Sequence, residues 1–364
     1  MRVLFAGVLA AAAYVGAAHG QEPKVLNVYN WSDYIADDTI AKFEAETGIK
    51  VTYDVYDSNE TLEAKLLAGR SGYDLVFPSA MPFLAKQAKA GVYRKIDKPK
   101  LSNYGNLDPQ ILAQAAKADP GNQFGVPYLW GTTGIGYNVE KVKAALGETA
   151  PLESSALLFD PENAKKLQAC GISLLDTPQE VFPAALAYAG ADPIAKDAAS
   201  LEKAVGIVQK IRPYVRKFHS SQYINDLATG DICLAFGYSG DVVQARNRAA
   251  EANNGIDIGY TIPKEGAMLW IDMMAIPADA PHPENALRFI DFVLRPEIIA
   301  AISNKVGYAN PNALATDMVD DELRDDPNVY PPEGVRARLF FDQPAPQSYE
   351  RERTRAWTRV KSGS

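Results

Sequence analysis

Cysteine and histidine are scarce, at two and three residues in a chain of 364. No histidine pair and no closely spaced cysteine pair is present, so no metal-ligating motif can be read. Neither His219 nor His282 sits in a thiol-protease motif, which argues against a catalytic thiol. An excess of positive charge is also missing. The 37 Lys and Arg against 45 Asp and Glu leave a formal net charge of -8. That balance argues against nucleic acid as a partner and suits a cationic one. There is no internal repeat and no low-complexity segment. Beyond the N-terminus no apolar run is long enough to read as a membrane span.

The N-terminus differs from the rest. Arg2 is followed by VLFAGVLAAAAYVGAA, then Ala18-His19-Gly20 and the polar QEPK. A charged start, an apolar stretch and small residues before a cut mark a secretory signal peptide, here 1–20, with Gln21 opening the mature chain. The alternative is a membrane anchor, and the apolar run falls short of the roughly 20 residues that a span needs. The protein is therefore expected to be exported. With 47% hydrophobic and 23% charged residues it reads as an ordinary soluble protein with real cores. Cys170 and Cys233 form an even pair, which in an exported protein favours a disulfide. Such a bridge would close a long loop and contribute about 4 kcal/mol in the chain-entropy model. Two buried free thiols are the alternative.

From residue 25 the pattern alternates. VLNVY reads as a strand. DDTIAKFEAETG reads as a helix capped by Asp37 or Asp38 and stopped at Gly48. IKVTYDVY reads as a strand, and DSNETLEAKLLAG as a helix opened by the capping-box-like pair Asp57 and Glu60. YDLVF is a third strand. This β-α-β-α-β order predicts a parallel twisted sheet, whose ligands lie beyond the carboxyl ends of the strands. Two loops leave those ends: Asn30-Trp31-Ser32-Asp33 and Pro78-Ser79-Ala80. The glycine-rich run Gly125 to Asn138 is a candidate crossing into a second lobe. A second α/β pattern follows to about Gly255, and the two extended runs around PKEG return the chain to the first lobe. HPENALRFIDFVLRPEIIAAISNKVG is helical, interrupted at Pro296 and stopped near Gly307. The basic tail ERERTRAWTRVKSGS reads as a solvated surface segment. The expected fold is a two-lobed α/β protein with a hinge. Lobe 1 is 21–132 plus about 262–302, and lobe 2 is about 133–261 plus 303–364.

Several residues at the expected strand ends share a chemistry. Trp270 and Asp272 are two apart on an extended run and face the same side. A sheet core does not take an unpaired carboxylate, so Asp272 reads as functional, with a structural ion pair as the alternative. Asp241 opens a helix after GYSG, where capping competes with function. Tyr238 precedes it at a strand end. Glu180, Tyr308, Ser220 and Ser79 are weaker when taken alone. Acids with Trp and Tyr on the loops of two lobes form a box with aromatic walls and negative ends. Such walls attract ammonium at roughly 0.5–2 kcal/mol per contact, and carboxylates take the ammonium heads. A linear organic polycation fits. A sugar would use the rings but would not need several acids.

The motifs YNWSDYI, YDSNETLEAKL, GYDLVFPSA, FGVPYLWGTTGIGYN, FHSSQYINDLATGDICLAFGYSGDV, IPKEGAMLWIDMMAIPADA and NVYPPEGVRARL resemble, in this order, the periplasmic polyamine-binding proteins of ABC transporters. The resemblance implies the type II periplasmic binding protein fold, with a polyamine between the lobes and permease subunits as partners. It implies no enzyme activity and no cofactor. Carried over by motif, the ligand residues are Trp31, Ser32, Asp33, Tyr34 and Ser79, then Glu180, Ser220, Tyr238 and Asp241, then Trp270, Asp272 and Tyr308. The family's disulfide matches Cys170 and Cys233. Putrescine-type members tend to carry Trp where Tyr238 stands and Phe where Trp270 stands. Met81 stands where a small polar residue is common. The combination leans to spermidine, with putrescine as the other candidate. Two further readings are a polyamine sensor for a signalling receptor and a carbohydrate-active enzyme using two of the acids. A monomer is expected, because a hinge protein needs both lobes free.

Overall fold

The computed structural model describes residues 22–363. The expected signal segment, 1–20, lies outside the described residues. Ten strands form one continuous sheet. They are β1 (Val25–Trp31), β2 (Lys50–Tyr56), β3 (Leu75–Val76), β4 (Gly125–Asn138), β5 (Ile172–Leu174), β6 (Lys217–Phe218), β7 (Leu234–Tyr238), β8 (Ile258–Thr261), β9 (Ala267–Ala275) and β10 (Leu339–Phe340). The order is β2-β1-β3-β9-β4-β7-β5-β6, with β8 on β4 and β10 on β9.

The expected β-α-β-α-β opening is present. β1 pairs in parallel with β2 and β3, and the helices Thr39–Thr47 and Asn59–Leu67 make the crossovers. Gly48 ends the first helix at φ 68°, a left-handed conformation that glycine adopts without a Cβ clash. The second helix starts differently from the expectation. Its cap is Ser58, whose hydroxyl accepts the Thr61 N–H at 3.3 Å. Asp57 is thereby left free of the capping role.

β4 is the crossing that its glycines suggested. Its first half packs in one core with Val126, Tyr128 and Trp130, and Ile135 packs in the other. Gly131 has a steric reason: a Cβ there would lie 2.8 Å from Ser239 Oγ and 2.9 Å from the Trp270 ring. β9 runs antiparallel to β4, and β8 continues along the same strand. The runs around PKEG therefore both pair with β4 rather than with each other.

Two corrections concern the C-terminal part. Residues 303–364 do not pack as one unit with the second lobe. Val306, Tyr308, Ala309, Ala315, Val319, Leu323 and Val329 belong to the first core, tied to it by the Trp130 N–H donating to the Ala309 carbonyl at 2.9 Å. Tyr349, Ala356, Trp357 and Val360 belong to the second. β10 pairs with β9 between these stretches, so the chain crosses a third time. The basic tail is likewise no solvated segment. It forms the helix Gln347–Ser362, with Arg353 and Trp357 buried. Its charges occupy one face while a sparse apolar stripe meets the second lobe.

Cys170 and Cys233 are bonded, with Cα atoms 5.4 Å apart and 63 positions between them in sequence. The bridge sits in the second lobe, where Cys233 is fully buried.

Candidate ligand site between the lobes

The ends of β1, β2 and β7, together with the middle of β9, converge on one cavity. It is lined by all of the candidate residues except Asp33: Trp31, Ser32, Tyr34, Ser79, Glu180, Ser220, Tyr238, Asp241, Trp270, Asp272 and Tyr308. Tyr56, Asp57, Asn59 and Ser221 also line it and were missed. The same topological rule would have found three of them, because Tyr56 ends β2 and the loop after it lies on the same sheet edge.

Asp272 is the first lobe's acid. It is 4% exposed. Ser79 Oγ donates to it at 2.6 Å and the Tyr34 hydroxyl at 3.0 Å. Asn59 fixes Ser79 from behind, with its amide donating to Ser79 Oγ at 2.9 Å. Tyr34 is held in turn by Tyr128, whose hydroxyl donates to the Tyr34 carbonyl at 2.6 Å.

Asp241 is the second lobe's acid. The helix it was expected to open begins at Ser239, which puts Asp241 in the first turn. Its carboxylate does not cap. It accepts the Tyr223 hydroxyl at 2.6 Å and the Tyr308 hydroxyl at 2.5 Å. Tyr223 was not a candidate and stands behind the cavity wall. Its hydroxyl also accepts the Tyr238 N–H at 2.9 Å.

The aromatic walls form a chain of edge contacts. Trp31 lies 6.4 Å from Tyr238, Tyr238 5.7 Å from Trp270, Trp270 5.2 Å from Tyr308, and Tyr308 5.2 Å from Tyr34. Trp31 is oriented by its indole N–H, which donates to the Phe77 carbonyl at 2.8 Å.

Burial dominates the electrostatics. It pushes Asp241 up to about 6, Asp272 up to about 7 and Glu180 up to about 8. Hydrogen bonds from Tyr223 and Tyr308 oppose the rise at Asp241, and those from Ser79 and Tyr34 oppose it at Asp272. Among the described residues, no Lys or Arg lines the cavity, and Glu180 Oε2 has no hydrogen-bond partner.

Asp33 has another place. Its φ of 55° turns the loop, and its carboxylate takes Arg248 of the second lobe at 2.7 Å. Gln244 Nε2 donates to its carbonyl at 3.2 Å. Thr177 Oγ1 donates to Glu60 across the cleft at 3.3 Å. These contacts link the two lobes, and Asp33 does not line the cavity.

Comparison with known proteins fits this arrangement. The family model for bacterial extracellular solute-binding proteins matches residues 38–331. The putrescine-binding periplasmic protein PotF of Escherichia coli is 55% identical over 99% of this chain and 97% of its own length. The putrescine-binding periplasmic protein SpuD of Pseudomonas aeruginosa is 54% identical over 97% of this chain and 96% of its own. The spermidine/putrescine ABC transporter substrate-binding protein PotD of Streptococcus pneumoniae, solved with calcium and HEPES, superposes with a TM-score of 0.74. It is 27% identical, covering 93% of this chain and 99% of that one. The likeness read from the motifs thus spans nearly the whole chain, and the protein belongs to the bacterial extracellular solute-binding protein family.

Proposed function

We propose that this protein captures a polyamine in the interlobe cavity and delivers it to the permease of an ABC transporter. One observation carries the reading. Each lobe supplies a buried carboxylate, Asp272 or Asp241, that is held by hydroxyls, and among the described residues no Lys or Arg lines the cavity beside them. Aromatic rings run between the two. Hydroxyls orient a carboxylate without neutralising it, so the charge is left for a ligand. A diamine brings two ammonium heads for the acids and methylenes for the rings. Glu180 and Asp57, the other acids on the wall, offer further charge to a longer amine.

The proposed ligands are putrescine and spermidine. The names of the two relatives at 55% and 54% identity weigh toward putrescine. The Tyr238 and Trp270 pair weighs toward spermidine. Titration calorimetry of the ligand-stripped protein with putrescine, spermidine, cadaverine and agmatine measures the order. Absence of binding by all four overturns the proposal.

The working unit is proposed to be a monomer exported with a cleaved leader. Light scattering tests the first. A mature mass that starts at Gln21 tests the second.

A further inference from the structure

The C-terminal helix Gln347–Ser362 lies beyond residues 38–331 that the family model covers, and it does not reach the cavity wall. One residue on it nevertheless touches three segments of the second lobe's half of the site. Trp357 is 5% exposed. Its indole N–H donates to Asp176 Oδ1 at 2.8 Å. Its ring meets Phe182 edge-on at 5.5 Å and 86°, and Phe218 at 5.3 Å and 89°.

Each contact stands close to a cavity residue. Phe182 is two positions after Glu180 in the first turns of the helix Pro178–Tyr188. Two positions on a helix are about 200° of rotation. Holding Phe182 in the core therefore aims Glu180 the opposite way, toward the cavity. Phe218 is two positions before Ser220. The Asp176 N–H donates to Ser220 Oγ at 3.2 Å. Asp176 is also held by Lys361 Nζ at 2.7 and 2.9 Å, and the Lys361 carbonyl accepts Arg212 at 2.8 Å.

We propose that Trp357 is a positioning residue for the binding site. By packing on Phe182 and Phe218 and bonding Asp176, it sets where Glu180 and Ser220 stand. The inference rests on the polyamine reading of this cavity. A core tryptophan with no such role would change stability alone. A positioning one changes affinity through Glu180.

The test uses the full mature chain. Trp357→Phe keeps a ring and removes the N–H. Trp357→Leu removes the ring contacts. Unfolding is followed by circular dichroism and binding of putrescine and spermidine by titration calorimetry. We expect Trp357→Phe to bind spermidine about threefold more weakly and Trp357→Leu about tenfold, as lost positioning contacts imply. In a Glu180→Gln background the Trp357 effect shrinks to less than about twofold, because coupled residues are not additive. In an Asp272→Asn background, on the other lobe, it keeps its full size. Equal affinities in folded variant and wild type overturn the inference. So does a loss of the same size in the Glu180→Gln and Asp272→Asn backgrounds. If Trp357→Leu does not fold, Trp357→Phe decides by the same criteria. Absence of wild-type binding overturns this inference together with the polyamine reading. Binding that is identical in wild type and variants overturns this one alone.

Discussion

Asp272→Asn is expected to weaken ligand binding and to stabilise the empty protein, and the two effects have one cause. The carboxylate is 4% exposed and meets only hydroxyls, Ser79 Oγ at 2.6 Å and Tyr34 at 3.0 Å. Burial raises it from 3.8 to about 7. A carboxyl raised on folding binds its proton more tightly in the folded state. Its contribution is full below pH 3.8 and is lost as the pH rises to about 7. Across that window the loss reaches about 4 kcal/mol by linkage, as a ceiling that opening of the cleft reduces by rehydrating the carboxylate. Asparagine has the same shape and no charge; one hydroxyl can go on donating to its amide oxygen while the other turns to accept from its amide N–H. Calorimetric melting of the ligand-stripped variant should therefore show a higher Tm than wild type at pH 8. The gap should narrow steadily toward pH 4. Affinity moves the other way. Losing a charge-assisted hydrogen bond to ammonium costs about 1.5–3 kcal/mol, or roughly 10- to 150-fold in Kd. A variant less stable than wild type at pH 8, or a stability gap that ignores pH, would refute the argument that this acid is held charged at the fold's expense.

Other measurements follow from the same geometry. Because burial raises Asp241, Asp272 and Glu180 to about 6, 7 and 8, polyamine affinity should fall as the pH drops from 8 to 5, with protons released on binding. Binding enthalpies at pH 7 that do not vary with the buffer's ionisation enthalpy would contradict this. Arg248→Met removes the ion pair to Asp33 between the lobes, with side chains 32% and 41% exposed. Such exposure limits the effect to about 1 kcal/mol, about fivefold, in a salt-sensitive dissociation rate measured by stopped flow. Replacing both Cys170 and Cys233 by Ser opens a 63-residue loop and should cost about 4 kcal/mol in denaturant unfolding, with Kd unchanged since neither residue lines the cavity.

The legibility of the sequence was uneven for physical reasons. Strand and helix periodicity revealed the opening sheet, and the carboxyl-end rule then pointed to Trp31 and Ser79 before any partner was known. An acid in LWIDMMAIP was informative because a buried carboxylate needs a reason. Errors arose where the deciding partner is distant in sequence. Asp33 looked like a wall residue until Arg248, more than two hundred positions away, was seen to take its carboxylate. Asp57 looked like a cap, yet Ser58 does that work and Asp57 faces the cavity. The tail looked solvated because five Arg and Lys between residues 351 and 361 hide the stripe of Tyr349, Ala356, Trp357 and Val360 that packs on the second lobe. The stretch 303–329 joined the wrong lobe for a similar reason. Nothing local in GYANPNA announces that Ala309 meets Trp130.

Among the described residues no lysine or arginine lines the cavity wall, and on the proposed polyamine reading this accounts for selectivity and closure together. A resident cation would neutralise Asp241 and Asp272, and the lobes could then shut without a ligand. With hydroxyls as the only fixed partners, closing an empty cleft strips water from carboxylates and leaves nothing in its place. The upward shifts of Asp241, Asp272 and Glu180 express that cost. A polyamine removes it, since its ammonium heads replace the lost water and its methylenes cover the rings. On that reading the ligand binds the closed state better than the open one, which is the condition for it to drive closure. Neutral molecules of the same length leave the cost standing, and anions add to it. Arg248 fits the scheme because it stays outside the wall. It pairs with Asp33 of the other lobe, so its charge is taken up there while the acids on the wall remain available to a ligand.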